Sequence, residues 1–198
     1  YTDLSTAVDW CRSFFGVDTL FCVGFSLGAS VLLNLLAKDP AADYIRAFCA
    51  ISTPYDLKRG SINLQRGLNK IYEVRFMRTL RSKLAQKKRQ FSDLPDFTGQ
   101  TLYDFDDQVT GPVHGFSGAE EYYKECSSAF LMDGIDRPGL LVHSQEDPLC
   151  PFAYTPTDTI DQNPHLTTLF PERGGHVGFW SLPPGWLEES ISRYLALH

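Results

Sequence analysis

The chain has 198 residues, of which 43% are hydrophobic and 21% are charged, as in a folded globular domain with one core. No apolar run reaches the length needed to cross a bilayer, so no membrane-spanning helix is predicted. The formal net charge of −6 argues against a nucleic-acid-binding protein, and we expect no nucleic-acid partner. Eleven of the 18 Lys and Arg residues nevertheless lie between Lys58 and Arg89, where Glu73 is the only acidic residue.

The five cysteines are scattered along the chain, at Cys11, Cys22, Cys49, Cys126 and Cys150. No two of them have CxxC spacing, so the sequence predicts neither a zinc site nor a redox-active dithiol. Because Cys22 and Cys49 lie in apolar runs, we expect reduced thiols that pack as small core residues.

The first residues, YTDLSTAVDWCRSFFG, predict a helix that begins at Thr2 or Asp3 and ends at Gly16. Neither a strand nor an initiator Met precedes this helix in the sequence. We therefore expect the chain to be an N-terminally truncated fragment of a longer protein.

The later predicted elements alternate between strands and helices. Short, nearly all-apolar runs predict strands that are buried on both faces, as in parallel sheets. The strands cover 19–23, 47–52, 139–143 and 166–170, and the helices cover 27–38 and 186–197. This alternation indicates an α/β fold with a mostly parallel sheet and right-handed crossovers.

A long stretch without strand character, at about 58–137, separates the second and third predicted strands. It opens with a basic helical run, NLQRGLNKIYEVRFMRTLRSKLAQKKRQF, and shorter helices are predicted at TLYDFDDQVT and AEEYYKECSSAF. We expect one domain over residues 1–198, in which this stretch is a lid-like insertion. The basic run has two interpretations, a solvated face of the lid or an element that contacts a membrane surface.

The segment Gly24-Phe25-Ser26-Leu27-Gly28 joins the first predicted strand directly to the next helix. This strand–turn–helix arrangement is the nucleophile elbow, in which a strained turn exposes the serine hydroxyl. We expect small residues two positions before and after Ser26, because strand and helix nearly touch there. The amide of Leu27 is then expected to bind an oxyanion at the start of the helix.

A serine hydroxyl becomes a strong nucleophile only beside a base. The segment HSQEDPLCP follows the third predicted strand and PERGGHVGFW follows the fourth, which puts Asp147 and His176 in loops just beyond strand ends. The elbow fold supplies its nucleophile, acid and base in the order Ser26, Asp147, His176. We therefore predict that these three residues form a catalytic triad.

Other acids and histidines lie near these positions. Glu146 is the alternative acid, and we favour Asp147 because the proline that follows it turns its loop inward. His143, at the end of the third predicted strand, is the alternative to His176 and is expected to pack near the acid loop instead. Surface or structural roles are expected for the remaining histidines, His114, His165 and His198.

Four segments, VGFSLGASVLLNLLAKD, FDDQVTGPVHGFSGAEEYYKECSS, SQEDPLCP and GGHVGFW, together resemble the YheT-like branch of the α/β-hydrolases. The resemblance runs from about Asp3 to the C-terminus, and the second segment is its most specific part. It implies an α/β-hydrolase fold with a helical lid, with Ser26 as nucleophile, Asp147 as acid and His176 as base. Members act on medium-chain esters or acyl groups of lipids, and several are membrane-associated. Members also carry N-terminal strands and an oxyanion loop before the position of Tyr1, so we expect the first predicted strand of this chain to leave a hydrophobic edge exposed.

The sequence thus predicts a serine hydrolase that cleaves carboxylic esters of small molecules or lipids through an acyl-enzyme. Transfer of the acyl group to an alcohol would use the same residues, and product analysis with a competing alcohol separates the two reactions. A non-catalytic binding module of the same fold is the alternative from a different class. No metal or organic cofactor is expected, and the compartment is left open between the cytoplasm and the cytosolic face of a membrane.

Overall fold

A computed structural model describes residues 1–179 and 184–198 of the chain. The strands are β1 (Leu20–Phe25), β2 (Ile45–Ile51), β3 (Gly139–Val142) and β4 (Leu166–Leu169). The α-helices are α1 (Thr2–Phe15), α2 (Leu27–Lys38), α3 (Leu57–Leu64), α4 (Lys70–Lys88), α5 (Leu102–Phe105), α6 (Gly111–Val113), α7 (Ala119–Cys126), α8 (Thr157–Gln162) and α9 (Trp186–Ala196). A π-helical turn lies at Asp106–Thr110, and 3₁₀ turns lie at Pro40–Tyr44, Gly67–Asn69, Ser128–Phe130, Met132–Gly134 and Phe152–Tyr154.

Within the described residues the strands form one parallel sheet in the order β1-β2-β3-β4. The β1–β2 pairing has one register shift, between Leu20 and Phe21. Because the strands are parallel, their carboxyl ends meet at one edge of the sheet, which is where the segments following β1, β3 and β4 begin. The predicted α/β fold with a parallel sheet is therefore confirmed.

Helices cover both faces of the central strands. On one face, Phe48 and Ala50 of β2 pack with apolar residues of α1, α2 and α8. On the other face, Cys49 and Ile51 pack with Leu187 of α9. Every residue of β3 is buried, as is nearly every residue of β2, which is the burial that parallel strands of an α/β sheet require.

β1 departs from the expectation that it is buried on both faces. Phe21, Val23 and Phe25 are 48%, 41% and 45% exposed, whereas Gly24 on the opposite face is buried. The register places the three exposed residues on the same face as Cys49. On that face of the sheet, α9 packs over β2 and β3. Among the described residues, none packs over the same face of β1. Burial on both faces is therefore wrong for β1, because α9 does not cover this strand, whereas the exposed hydrophobic edge that the resemblance implies is observed.

The described chain divides into two compact units. Tyr1–Tyr55 and Ser127–His198 form the first unit, which contains the sheet, and Asp56–Cys126 forms the second. The predicted organisation, one domain with a lid-like insertion at about 58–137, stays a prediction.

The second unit is built around α4, which has one buried and one basic, exposed side. Met77 packs with Phe105 in a small core of this unit. Glu73, the one acidic residue of α4, is 9% exposed and accepts a hydrogen bond from the amide of Leu102 at 3.1 Å. No helix within residues 1–179 and 184–198 combines the length and the apolar character that crossing a bilayer requires.

The turn between β1 and α2 holds Ser26 at a positive φ, with φ 51° and ψ −125°. A Cβ atom at Gly24 would lie 2.7 Å from the Cα of Ala29 and 2.8 Å from the carbonyl oxygen of Gly28. Gly28 itself is exposed, and a Cβ there would meet no described atom within 4 Å. The expected need for a small residue is therefore correct two positions before Ser26 and wrong two positions after it, because the Cβ direction of Gly28 points into open space.

We predict that Gly24→Ala lowers the free energy of unfolding by about 1–3 kcal/mol, because the added Cβ overlaps backbone atoms that no rotamer change can move. Gly28→Ala should leave this free energy unchanged or raise it by up to about 1 kcal/mol, since alanine favours the helix over glycine. Urea denaturation followed by circular dichroism measures both variants, provided that their m-values agree. Equal losses in the two variants would contradict the packing argument.

Candidate active site

Ser26 is fixed at the carboxyl end of β1 by the turn that opens α2. Its amide donates a hydrogen bond to the carbonyl oxygen of Ile51 at 2.8 Å, which ties the turn to the end of β2. A non-glycine residue with a positive φ is strained by about 1–3 kcal/mol, and such strain is concentrated at functional sites. The local backbone therefore presents the Ser26 hydroxyl at the sheet edge where the segments after β3 and β4 begin.

His176 brings the three predicted triad side chains into one hydrogen-bonded chain. Its Nδ1 lies 2.8 Å from Oδ2 of Asp147, and its Nε2 lies 2.7 Å from Oγ of Ser26. Because a carboxylate only accepts hydrogen bonds, Nδ1 carries the proton and donates it. The Nε2 lone pair is then free to accept the hydroxyl proton of Ser26. This is the tautomer that a general base beside a serine requires.

Asp147 lies in the segment after β3, and its side chain is completely buried. Its Oδ1 accepts the backbone amides of Leu149 at 2.9 Å and Cys150 at 3.0 Å, while Oδ2 accepts from His176. Burying a carboxylate is costly unless donors replace its water shell. These N–H donors therefore fix the direction of the carboxylate as well as offsetting its loss of solvent.

Neither of the two alternatives weighed from the sequence belongs to the hydrogen-bonded chain of Ser26, His176 and Asp147. Glu146 is exposed, and its backbone amide, not its carboxylate, contacts the loop by donating to Oγ of Ser144. His143 is 1% exposed, its Nε2 lies 2.7 Å from the carbonyl oxygen of Cys150, and burial lowers its pKa. The structure thus places Asp147 rather than Glu146 against His176.

Leu27 is the first residue of α2 and directly follows Ser26. The first amides of an α-helix have no acceptor inside the helix, so they remain available to a ligand. The positive end of the helix dipole adds a favourable field for negative charge at the same point. The arrangement is suited to holding an oxyanion beside the Ser26 hydroxyl.

One group of side chains in the described part of the chain has the spacing of a metal site. Ligand atoms of Asp147, Cys150 and His176 lie within 4.8 Å of one another. However, Asp147 and His176 are hydrogen-bonded to each other, and burial together with the Asp147 charge raises the pKa of the Cys150 thiol. A protonated thiol is a poor metal ligand, so these residues suit proton transfer better than metal binding.

Sequence reasoning missed several contributors to this arrangement. The amides of Leu149 and Cys150 hold Asp147, but backbone donors leave no signature in residue type. Ser144 donates to the carbonyl oxygen of Gly174 at 3.0 Å and so links two loops that are far apart in the sequence. Ser52, directly after β2, is a second non-glycine residue with a positive φ, 53°. The residues on either side of Ser52 form no recognisable motif, whereas the glycines near Ser26 do.

Comparison with known proteins agrees with this architecture. The alpha/beta hydrolase fold family matches residues 1–183 of the chain. YheT of Escherichia coli (strain K12) is 29% identical over 206 residues, which cover 99% of this chain and 60% of YheT. A monoacylglycerol lipase of Saccharomyces cerevisiae is 30% identical over 208 residues, which cover 98% of this chain and 46% of the lipase. Among solved structures, the Pyrococcus furiosus esterase Pf2001 superposes with a TM-score of 0.60 and 18% identity, covering 98% of this chain and 60% of that one.

These comparisons extend over nearly the whole of this chain, although it spans only 46–60% of the relatives described above. The family match includes the β1–α2 turn and the segments after β3 and β4 that carry Asp147 and His176. The likeness to Pf2001 concerns the fold. The chain belongs to the α/β-hydrolase fold family, and the resemblance to YheT-like members, predicted from its motifs, is confirmed.

Proposed function

We propose that Ser26, His176 and Asp147 are the catalytic triad of a serine hydrolase that cleaves carboxylic esters through an acyl-enzyme. The observation that carries this proposal is the hydrogen-bonded chain from Ser26 Oγ through both His176 nitrogens to Asp147 Oδ2, with links of 2.7 and 2.8 Å. Nucleophile, base and orienting acid are at the separations that the mechanism requires.

The first half of the reaction forms the acyl-enzyme. Ser26 Oγ attacks the ester carbonyl carbon while Nε2 of His176 takes the hydroxyl proton. The carbonyl oxygen becomes an oxyanion, to which the amide of Leu27 donates a hydrogen bond. As the tetrahedral intermediate collapses, the imidazolium returns that proton to the leaving alkoxide. An alcohol departs and the acyl group stays on Ser26.

The second half repeats the sequence with water. His176 takes a proton from water, the resulting hydroxide attacks the acyl carbon, and Ser26 leaves with the proton that His176 returns. Asp147 remains ionised throughout and stabilises the imidazolium that forms in each half. Its complete burial keeps the carboxylate in a low-dielectric setting, which strengthens its interaction with that cation.

The substrate class follows from the relatives and remains part of the proposal. One similar protein is named a monoacylglycerol lipase, and a fold neighbour is named an esterase. Both names denote hydrolysis of carboxylic esters by a protein similar to this chain. We therefore propose acyl esters, including those of lipids, as substrates.

The nucleophile is tested by covalent labelling of the full-length protein. Ser26→Ala should abolish both labelling by a fluorophosphonate probe and hydrolysis of p-nitrophenyl esters, because no other hydroxyl is hydrogen-bonded to His176 within the described residues. Ser30→Ala, which removes a buried hydroxyl from the same helix, is the matched control and should be labelled normally. Undiminished labelling of the Ser26→Ala variant would refute the assignment.

The acid and base are tested by ranking variants. Asp147→Asn should lower kcat by a factor on the order of 10⁴, because it disfavours the His176 tautomer with a free Nε2, and His176→Ala should cost at least as much. Glu146→Gln and His143→Ala should cost far less. Steady-state kinetics on one ester substrate gives the order, and a larger loss for Glu146→Gln than for Asp147→Asn would overturn it.

We further propose that the second unit contacts anionic membrane surfaces through the exposed side of α4 and the turn before it. Leu68, Ile71 and Val74 are 83%, 68% and 69% exposed, which is unusual for aliphatic side chains so close together. Arg75 and Arg78 lie on the same side of the helix at helical spacing from Ile71. Apolar side chains flanked by cations suit the boundary between lipid headgroups and acyl chains.

The charge of this surface is not neutralised from within the helix. Glu73 faces inward, and its carboxylate accepts a hydrogen bond from the amide of Leu102. The exposed side of α4 therefore retains its positive charge. Surface cations gain about 1 kcal/mol each beside an anionic leaflet, and salt screens this attraction over roughly 10 Å at 0.1 M.

Vesicle co-sedimentation tests the membrane proposal. Binding should increase with the fraction of phosphatidylserine and decrease with salt. The pair Arg75→Gln with Arg78→Gln should weaken binding about 30-fold, from roughly 1 kcal/mol per cation. Arg46→Gln with Lys124→Gln, an equal change of charge at exposed positions off α4, should change it little. Binding that changes with neither lipid charge nor salt would contradict the membrane proposal and favour the interpretation of α4 as a solvated helix.

A further inference from the structure

Two consecutive buried residues, His143 and Ser144, connect β3 to the loop that carries Asp147. They are 1% and 0% exposed, and neither is hydrogen-bonded to Ser26 or His176 within residues 1–179 and 184–198. Both side chains are instead hydrogen-bonded to the loops on which the acid and the base lie. Their placement suits them to hold these two loops in position, a role that is not part of the triad mechanism.

Ser144 joins the two loops directly. Its hydroxyl donates to the carbonyl oxygen of Gly174 at 3.0 Å, two residues before His176, and accepts the amide of Glu146 at 3.2 Å. Gly174 belongs to the loop after β4, whereas Glu146 belongs to the loop after β3. One buried hydroxyl therefore sets the separation of the loop that holds the base from the loop that holds the acid.

His143 holds the part of the acid loop that contains Cys150. Its Nε2 donates to the carbonyl oxygen of Cys150 at 2.7 Å, and the amide of Cys150 donates to Oδ1 of Asp147 at 3.0 Å. The centroid of the ring lies 6.0 Å from that of Tyr55 and 6.0 Å from that of Phe152. Held in this way, the ring keeps the Cys150 peptide directed at the carboxylate.

The position of His143 also explains why it does not replace His176. Its Nε2 is 3.8 Å from Oδ2 of Asp147, beyond hydrogen-bond distance, and it donates to a carbonyl that can only accept. Nδ1 is buried without a hydrogen-bond partner among the described residues. Burial lowers the pKa of this imidazole, so it stays neutral beside Asp147.

We propose that His143 and Ser144 act as a pair of positioning residues that together set the Asp147–His176 hydrogen bond. The proposal rests on the triad function proposed above. Ser144 controls where the base loop lies, and His143 controls where the carboxylate points. A displacement of about 1 Å from productive geometry costs up to about 100-fold in rate. Loss of either contact should therefore reduce the rate without removing any group that touches substrate.

Matched variants separate positioning from ordinary packing. Ser144→Ala should lower kcat by about 10- to 100-fold with little change in KM. Ser128→Ala removes another fully buried hydroxyl, one without a hydrogen-bond partner among the described residues, and should leave kcat unchanged. His143→Leu should behave like Ser144→Ala. His143→Gln, whose amide nitrogen can donate to the Cys150 carbonyl, should recover most of the loss.

Three readouts are taken on the full-length protein, with the folding of each variant checked by circular dichroism. They are kcat, the rate constant for fluorophosphonate labelling of Ser26, and the downfield proton NMR signal of the His176 Nδ1–H, while KM is measured alongside and should stay nearly constant. Positioning predicts that all three change together in Ser144→Ala and His143→Leu, with the downfield signal broadened or shifted. If one of these variants fails to fold, the other carries the same test with its own control.

The outcomes distinguish this inference from the proposed function. If Ser144→Ala and His143→Leu lose thermal stability but label and turn over like Ser128→Ala, the positioning role is wrong and the triad stands. If His143→Gln is as slow as His143→Leu, the hydrogen bond to Cys150 is not what matters, and the role of His143 is overturned. If Ser26→Ala is still labelled, the triad assignment itself fails.

Discussion

The close approach of α2 to β1 at Gly24 is the constraint on which the site depends. Strand and helix come so near that no loop fits between them, and the chain must reverse within the single residue Ser26. This reversal requires a positive φ, and the amide of Ser26 is held by the carbonyl oxygen of Ile51. The hydroxyl is thereby fixed beyond the end of a buried sheet, where parallel strands also deliver the segments that carry Asp147 and His176.

The buried carboxylate of Asp147 is the second determinant of the arrangement. An ion removed from water costs several kcal/mol unless protein donors replace its hydration. Two backbone amides and the His176 ring provide those donors, and hydrogen bonds to a charged acceptor contribute about 1.5–3 kcal/mol each. One of the interactions that keep the acid in the interior, the hydrogen bond from His176, therefore also orients the base.

The sequence predicts a site residue best when the reaction requires one residue type at a fixed position relative to a strand. Ser26 between glycines, Asp147 after β3 and His176 after β4 were all found by their position at strand ends, and the structure joins their side chains by hydrogen bonds. The parallel sheet followed from apolar runs, which report burial directly.

Other features could not be predicted, for physical reasons. Which face of β1 is exposed depends on which strands α9 covers, and packing between elements far apart in the sequence has no signature in the local residue pattern. The freedom at Gly28 depends on the direction of a Cβ vector, not on residue type. The short helix α8 is polar and gave no periodic signal. The hydrogen bond from Ser144 to Gly174 joins residues thirty positions apart, and the sequence around neither residue predicts it.

The environment of Cys150 has a consequence for chemical selectivity. Its sulfur lies within 4.8 Å of the ligand atoms of the acid and the base, yet burial and the Asp147 charge raise the pKa of this thiol. Burial likewise raises the pKa of Cys49 to about 12. Because the thiolate is the form that alkylating agents and peroxide attack, both sulfurs are protected from them at neutral pH. A serine oxygen and a cysteine sulfur thus lie around one imidazole, and under the proposed triad electrophiles react at the oxygen.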